Sequence, residues 1–501
     1  MRPAFLFTDS MVFQRNKEIR VWGECETGAE VVGHFRGVTV KAVAKDNRFM
    51  LSFPSFEAGK GYTMTIKSGN ETITLRDIAV GEVWIAGGQS NMELPLKTSK
   101  NGGFELQFVK GDDIRYLLVP RRSEKDKPCW GWHFIPHYSE NVPWKVLGGE
   151  NGLELSAVAF YFAKRLQAAE NVPVGIIECD WGGTSVYQWI GREDLLENPK
   201  TRPYCEQQFK DLDAMNPEEY IPAQDAYLEK MADLCPATLP GEGFTFPQVP
   251  LNPRNSCRYG GLYETMFQTI CPFMAKGVIW YQGESDAGAD KSIVKERYKA
   301  GFRLLKEVWR RDLQNKDLVF ITTLLAAFSY GWTDGADGVA FAQIREVQKE
   351  LAEEDEKSYY INCTDNGERY NIHPYEKRML GERMAACALS ECYAEDVLWK
   401  SPVMDKIRLE NGTLYIDFKH CYGNLMGDNL EIKGFEVKID NKWEDVVMSS
   451  GGSFVFSKRN DLQGAKSVRF CYKNYFHVHL YNGLGLPAVP FGETKILNKK
   501  Q

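Results

Sequence analysis

Several features that would assign the chain to a particular class of protein are missing from its 501 residues. No run of about 18 apolar residues is present, so a membrane-spanning helix is not predicted. Lys and Arg number 61 against 68 Asp and Glu, which gives a net charge of -7. Nucleic-acid-binding proteins usually carry a basic excess, so neither a membrane nor a nucleic acid is expected as a partner.

Secretion and metal signals are also scarce. The first nine residues lack the apolar core of a secretory signal peptide. The twelve cysteines are scattered and form no Cys-x-x-Cys pair, so neither a disulfide framework nor a zinc site is predicted. A reducing, cytoplasmic location is therefore expected. Nothing in the sequence indicates the oligomeric state.

The pattern of short strands and helices predicts three domains. Residues 1–79 contain short alternating runs separated by turn residues, which is typical of a small antiparallel β-sandwich. Residues 80–395 alternate apolar strands with amphipathic helices, which predicts a parallel sheet with helices on both faces. Within that domain, an acidic and polar stretch at about 193–258 is expected to be a helical or irregular insertion. Residues 396–501 return to strands and turns and are predicted to form a C-terminal β module.

The most distinctive motif follows the first strand of the predicted parallel sheet. The apolar run 83–86 leads into two glycines and then into Gln89, Ser90 and Asn91. This order places Ser90 at the carboxyl end of a parallel strand, where α/β proteins put their functional sites. The Ser90 hydroxyl is a candidate nucleophile, and the alternative is that it only caps a helix.

A serine nucleophile needs a base, and the chain contains only seven histidines. His133, His137 and His373 fall within the predicted α/β domain. His373 lies in a loop before a predicted helix, on the carboxyl side of the last strand of that domain. It can therefore reach Ser90 as a general base, and an ordinary loop histidine is the alternative.

A third block, at residues 277–286, is another apolar strand that ends in a polar turn. Gln282 can donate a hydrogen bond to an oxyanion, and Glu284 can accept one from an imidazole that activates Ser90. Taken alone, this block is more simply interpreted as a solvated turn. Its position after a parallel strand places it with the Ser90 motif.

Four blocks in this order resemble those of the sialate O-acetylesterase family of SGNH hydrolases. They are Gln89–Met92, Trp181–Thr184, Trp280–Ser285 and Ile372–Pro374. Residues 7–15 and 485–491 resemble the amino- and carboxyl-terminal modules of the same family, so the resemblance covers nearly the whole chain. It implies an SGNH-hydrolase-like α/β fold, with a parallel sheet flanked by helices and with N-terminal and C-terminal β-sandwich-like modules.

The resemblance implies an esterase that removes acetyl groups from sugar hydroxyls without a metal or organic cofactor. Its partner would be a small acetylated sugar or oligosaccharide. Ser90 would be the nucleophile and His373 the base, and a residue in the stretch 152–157 would add a donor to the oxyanion hole. The oxyanion donors would be the Ser90 amide and the Gln282 side chain, joined by Gln89, and the candidate substrate-binding residues are Trp181, Gly183 and Tyr281. Trp181, Tyr281 and the nearby Trp189 are equally readable as buried core.

The chain departs from the family pattern at the catalytic acid. Relatives commonly have Asp two residues before the histidine, and Asn371 stands there in this chain. An amide cannot carry the charge that stabilises an imidazolium, so Glu284 is assigned as the acid. Asp365 and Glu368 remain the alternatives for this role.

Two further readings stay open. The substrate is either an acetylated sialic acid or an acetylated plant oligosaccharide such as a mannan or xylan fragment. In a different class, the protein would be a non-catalytic carbohydrate-binding protein on a hydrolase scaffold. Release of p-nitrophenol from its acetate ester separates an esterase from such a binding protein.

Overall fold

A computed structural model describes residues 1–109, 113–124, 127–128, 142–233, 251–288, 290–329, 335–427 and 431–496. The chain forms two compact units, which are described separately below. The first unit contains residues 1–282, 300–320 and 377–385, and the second contains residues 283–299, 321–376 and those from 386 onward. His133 and His137 lie outside the described residues, as do residues 234–250 of the predicted insertion.

The first unit begins with strands β1 to β8. They span Arg2–Pro3, Val12–Gln14, Ile19–Glu24, Glu30–Phe35, Val38–Val43, Arg48–Phe53, Gly59–Ser68 and Glu71–Gly88. Strands β1, β3 and β6 form one antiparallel sheet, and β2, β4, β5 and β7 belong to a second sheet that includes β8. Phe35 of one sheet meets Phe53 of the other edge-on, with ring centroids 6.1 Å apart. Apolar side chains that alternate along the strands thus pack between two sheets, as the sequence pattern predicts.

Strand β8 is 18 residues long and belongs to two parts of this unit. Its first part pairs antiparallel with β7, and its last residues pair in parallel with neighbours in a central sheet. The domain boundary predicted at residue 79 falls inside this strand. The domain limits stay predictions.

The central sheet of the first unit has the strand order β12-β9-β13-β8-β14. Strands β9 to β14 span Ile114–Leu118, Arg122–Glu124, Lys127–Pro128, Lys145–Val146, Val174–Asp180 and Gly277–Tyr281. Strands β9, β13, β8 and β14 are parallel, β12 is antiparallel to β9, and β10 and β11 pair only with each other. Every residue of β13 and β14 is buried, which is expected for parallel strands that are covered on both faces.

Helices pack around these strands in the first unit. Helices α1 to α7 span Ser90–Glu93, Gly102–Leu106, Ala157–Glu170, Arg192–Glu197, Glu206–Asp213, Pro217–Asp233 and Gln268–Ile270. Helix α3 packs against β9 and β13, and α4 to α6 lie in the predicted insertion. The last part of a longer helix, Val294–Asp312, also belongs to the first unit. Its Trp309 stacks on Phe267, with ring centroids 4.0 Å apart, and donates a hydrogen bond to the Trp189 carbonyl.

The second unit combines helices, two strands and the C-terminal β module. Helices α8 to α11 span Glu284–Ala287, Val294–Asp312, Ala340–Glu353 and Arg378–Tyr393, and the units divide within α9 and α11. Strands β15 (Val319–Leu324) and β16 (Ser358–Asn362) are neighbours, and α10 packs on β16. The buried Arg345 of α10 donates hydrogen bonds to two pairs of backbone carbonyls. Leu325 and Ala326 directly follow β15, and Lys473 and Asn474 lie in the C-terminal β module. This one side chain therefore connects the strand end to the C-terminal module.

The C-terminal module consists of strands β17 to β25. They span Val403–Glu410, Thr413–Lys419, Met426–Gly427, Ile432–Ile439, Lys442–Ser450, Phe454–Ser457, Ser467–Phe470, Leu480–Tyr481 and Phe491–Lys495. Seven of them form an antiparallel sheet in the order β17-β18-β22-β21-β20-β23-β25, and β19 pairs with β24. Alternate residues of β18 are buried in its core, among them Leu414, Ile416 and Phe418.

The structure confirms the predicted fold class. It is a mixed α/β protein with a partly parallel central sheet flanked by helices, an N-terminal β part and a C-terminal β module. Ten cysteines lie in the described part of the chain, and all are free thiols. Within that same part, none of the helices combines the length and the apolar character that crossing a membrane requires.

Candidate active site

Three parallel strands of the first unit end at the same level. Gly88 at the end of β8 pairs with Asp180 of β13 on one side and with Tyr281 of β14 on the other. The blocks that follow these strands therefore start at one edge of the sheet, and they include Ser90 and Gln282. This is the edge at which α/β proteins bind their ligands.

The turn that carries Ser90 depends on a glycine. Gly88 has a φ of 138°, and a Cβ at this position would lie 2.1 Å from the Tyr281 carbonyl oxygen. The close approach lets the Gln89 backbone N–H donate to that oxygen at 3.0 Å. Gln89 occupies the N-cap position and Ser90 is the first residue of α1. The structure therefore places Ser90 inside the helix and not at its cap, and the side chain is almost wholly buried.

Gln282 lies beside Gln89, and both residues are predicted oxyanion donors. The buried Gln282 amide nitrogen donates to the Thr184 carbonyl at 3.0 Å and to Gln89 Oε1 at 3.3 Å. One amide group thus connects the turn after β14 with the Ser90 turn and with the loop after β13. In the oxyanion role, the longer bond to Gln89 is the one that a substrate oxygen would replace.

The loop after β13 is held by hydrogen bonds at three of its residues. The Trp181 N–H donates to the Gly88 carbonyl at 3.1 Å, and the Thr184 hydroxyl donates to the Trp181 carbonyl at 2.7 Å. The Gly182 N–H donates to a carboxylate oxygen of Glu93. Gly183 has a φ of 74°, a left-handed conformation that favours glycine.

The predicted substrate-binding residues differ in their exposure. The side chains of Trp181 and Tyr281 are closed off from solvent, as is that of Trp189, which packs against Trp280 with ring centroids 6.4 Å apart. Gly183 is exposed at the loop surface. Of the three predicted positions, Gly183 is the one that a substrate reaches without a rearrangement.

The stretch 152–157 uses several of its backbone amides internally. The N–H groups of Leu155, Ser156 and Ala157 donate to the Gly152 carbonyl, a Glu178 carboxylate oxygen and the Leu94 carbonyl. Ser156 also caps α3, because its hydroxyl oxygen accepts from the Ala159 N–H at 3.2 Å. The additional oxyanion donor predicted in this stretch is therefore none of these three amides.

A cluster of four buried charged side chains includes Glu93, the last residue of the helix that begins with Ser90. Glu93, Arg121, Glu178 and Asp180 are all at most 4% exposed. Arg121 Nη1 is 2.8 Å from Glu93 Oε1, and its Nη2 donates to Asp180 Oδ1 at 2.9 Å. Burial raises the pKa of Asp180 and that of Glu178, and the Arg121 charge opposes both shifts.

A buried lysine also reaches the Ser90 motif. Lys377 Nζ donates to Asn91 Oδ1 at 2.6 Å and lies 5.5 Å from the centroid of the Tyr281 ring. Lys377 follows His373 by four residues in the sequence. Neither Lys377 nor Glu93 was predicted as a site residue, because nothing in their local sequence shows that a distant residue binds them.

The remaining predicted site residues belong to the second unit. Glu284 is the first residue of α8, is buried, and follows Gly283, whose φ is 142°. Two residues later, Asp286 forms a buried ion pair of 2.9 Å with Arg297 of α9, which fixes this short helix. The loop conformation around Glu284 is thus set by both the glycine and the ion pair.

His373 is partly buried in a loop stabilised by Asn371. The His373 N–H donates to Asn371 Oδ1 at 3.0 Å, and Asn371 Nδ2 donates to Glu368 Oε2 at 3.1 Å. Asp365 lies in a 3₁₀ turn, Thr364–Asn366. Asn371 therefore shapes the backbone at the histidine, a role that needs no charge.

No group of three or more His, Cys, Asp or Glu side chains is arranged to hold a metal ion among the residues that the structure describes.

Comparison with known proteins identifies the class and then the family. In the fold comparison, a carbohydrate acetylesterase from Xanthomonas citri superimposes with a TM-score of 0.77 at 24% identity, covering 98% of both chains. Two curated sialate O-acetylesterases are similar in sequence. The mouse protein is 25% identical over 400 residues, covering 74% of this chain and 68% of its own length. The Pongo abelii protein is 23% identical over 487 residues, covering 90% and 83%.

A family model described as "Carbohydrate esterase, sialic acid-specific acetylesterase" matches residues 254–390. The class is therefore that of carbohydrate esterases. Within it, residues 254–390 match the sialic acid-specific acetylesterase family and the two sialate O-acetylesterases are similar over most of the chain, which confirms the resemblance found in the sequence.

Proposed function

We propose that the protein hydrolyses O-acetyl esters on sugar hydroxyls through an acetyl-serine intermediate. Ser90 is the nucleophile, His373 the general base and Glu284 the acid that stabilises the imidazolium. The single observation that best supports the proposal is the common level at which β8, β13 and β14 end. This register puts the Ser90 turn beside Gln282, as an oxyanion hole requires.

The proposed reaction proceeds in two halves. Ser90 Oγ attacks the acetyl carbonyl carbon while His373 takes its proton, and the resulting oxyanion accepts hydrogen bonds from the Gln282 amide and from backbone N–H groups of the Ser90 turn. The sugar oxygen then leaves and takes the proton from His373. A water molecule attacks the acetyl-Ser90 ester with His373 again as base, and acetate is released. Neither a metal nor an organic cofactor takes part, so EDTA should leave turnover unchanged.

The roles of His373 and Glu284 depend on the family resemblance and on the chemistry of the two side chains. Lys377, which follows His373 in the chain, binds the residue next to Ser90.

Acetate release from a panel of substrates tests this function. The panel contains O-acetylated sialic acids, acetylated xylo-oligosaccharides, acetylated manno-oligosaccharides and p-nitrophenyl acetate. Ser90→Ala and His373→Ala should each reduce kcat on the order of a thousandfold or more. Ser99→Ala is the matched control, because this buried serine donates to the Leu96 carbonyl within the first unit and has no role in the proposed reaction.

Each outcome of that panel has a defined meaning. Activity of Ser90→Ala within about tenfold of the parent would contradict the nucleophile assignment. If the parent released no acetate from any substrate but bound acetylated sugars, the protein would be a carbohydrate-binding protein. The substrate with the highest kcat/KM distinguishes sialic acids from plant oligosaccharides. We also propose a cytoplasmic location, which fractionation of the native cells tests.

A further inference from the structure

The buried charges behind the Ser90 helix include one carboxylate that joins two parts of the proposed site. Glu93 is the last residue of the helix that begins with Ser90 and has no exposed surface. Its Oε2 accepts a hydrogen bond from the Gly182 N–H, and its Oε1 lies 2.8 Å from Arg121 Nη1. Glu93 therefore connects the nucleophile helix to the loop that follows β13.

Arg121 holds the other side of this connection. Its Nη2 donates to Asp180 Oδ1 at 2.9 Å, and its Nε donates to the Asp180 carbonyl at 3.3 Å. Asp180 is the last residue of β13, directly before the loop. The guanidinium thus bridges the end of the strand and the Glu93 carboxylate with its planar set of donors.

Arg121 forms ion pairs with two carboxyl groups of the cluster, those of Glu93 and Asp180. Three buried carboxyl groups face one guanidinium, so full ionisation would leave uncompensated negative charge. Burial raises the pKa of Asp180 and of Glu178, which favours their protonated forms. Arg121 lies between the Glu93 and Asp180 carboxyl groups and compensates negative charge on either of them.

The position of the loop matters for the chemistry because of its last residue. The Thr184 carbonyl accepts the hydrogen bond from the Gln282 amide nitrogen, the proposed oxyanion donor. A shift of the loop therefore moves Gln282 relative to Ser90. A buried ion pair gives little net stability compared with apolar residues of similar volume, so stability alone does not account for this one.

We propose that Glu93 and Arg121 are positioning residues that hold the 181–184 loop, and through it Gln282, against the Ser90 helix. The inference depends on the proposed function for its effect on rate. Neither side chain touches the reacting atoms. Removing Glu93 should therefore lower kcat and leave KM nearly unchanged, because the misplaced donor acts mainly on the transition state.

Two variants of Glu93 give a graded test. Glu93→Gln keeps an acceptor for the Gly182 N–H and removes the charge opposite Arg121, whereas Glu93→Met removes both. We expect kcat to fall on the order of tenfold for Glu93→Gln and a hundredfold for Glu93→Met. Equal losses in both variants, or a kcat within about twofold of the parent in Glu93→Met, would overturn the proposal.

Glu82→Met is the matched control for the loss of a buried carboxylate. Glu82 lies on β8 six residues before Gly88, roughly 20 Å along the strand, and binds Arg15 and Gln14. The Glu82→Met substitution should lower the melting temperature about as much as Glu93→Met but leave kcat within about twofold of the parent. If Glu82→Met reduced kcat as strongly, the effect would be one of general destabilisation and the proposal would be wrong.

Amide hydrogen exchange measured by mass spectrometry supplies a readout independent of turnover. Peptides that contain Gly182 should exchange faster in Glu93→Met than in the parent and in Glu82→Met. Unchanged exchange there would contradict the positioning role even if kcat fell. Exchange could be faster in Glu93→Met while the separate Ser90→Ala variant keeps its activity. That combination would contradict the proposed function and leave the positioning role intact.

Discussion

Lys377 Nζ donates a hydrogen bond of 2.6 Å to Asn91 Oδ1, and both side chains are closed off from solvent. Asn91 directly follows Ser90, and the two bonded residues are 286 positions apart in the chain. The ammonium also lies over the ring of Tyr281, the last residue of β14. A buried positive charge is thus fixed at the residue next to the proposed nucleophile.

Removing this charge should impair both stability and turnover. Lys377→Met leaves the Asn91 oxygen without the donor, and we expect kcat to fall on the order of tenfold to a hundredfold because α1 loses a fixed contact. A double-mutant cycle with Asn91→Leu, followed by urea unfolding, should give a coupling energy of about 1.5 to 3 kcal/mol. A coupling energy near zero would show that the bond does not hold the two segments together.

The acid of the proposed triad is tested at Glu284. Glu284→Gln keeps the shape of the side chain and removes the charge that stabilises an imidazolium, so kcat should fall by roughly 10² to 10⁴. Asp365→Asn is the control, with an expected kcat within about threefold of the parent. If Asp365→Asn abolished turnover in folded protein while Glu284→Gln did not, the acid would lie in the loop before His373.

Asn371→Asp restores the residue that relatives commonly have. An Asp side chain can still accept from the His373 N–H, but its second oxygen would face Glu368 Oε2, which Asn371 Nδ2 contacts at 3.1 Å. We therefore expect a mild effect of Asn371→Asp alone, and a higher kcat when Glu368→Gln removes the repulsion. Initial rates of the two single variants and the double variant measure this. A double variant no faster than Asn371→Asp would show that Glu368 does not limit the gain.

Asp180 should make stability depend on pH. Burial raises its pKa to about 8, whereas an unfolded Asp titrates near about 4. Between these values the folded state holds a proton that the unfolded state has lost, so stability falls as the pH rises through this window. Asp180→Asn cannot ionise and keeps an acceptor for Arg121. From about pH 5 to about pH 9, the parent should lose on the order of 4 kcal/mol relative to the variant in urea unfolding. If the free energies of unfolding of the parent and of Asp180→Asn changed with pH in parallel, the raised pKa of Asp180 would be contradicted.

Local patterns in the sequence were enough to predict the fold class and the blocks of the candidate site. Apolar runs ending in glycine and polar residues mark the ends of β8, β13 and β14, and the structure has strands at all three. Alternation of apolar residues likewise predicted the β modules at both ends. The continuity of β8 across residue 79 was not predicted, because a strand that serves two sheets has no local signature.

The sequence by itself determined which residue types follow each strand, since strand periodicity and glycine turns are local properties of the chain. Only the tertiary structure decided which of these residues meet. The register of three parallel strands, the Lys377–Asn91 bond and the Glu93–Arg121 pair all join segments that are distant in sequence. Burial also raised the pKa of Asp180 and of Glu178, because the energy of an ionised group depends on the solvent and the partners around it. Such contacts depend on how the whole chain packs, so no window of sequence contains them.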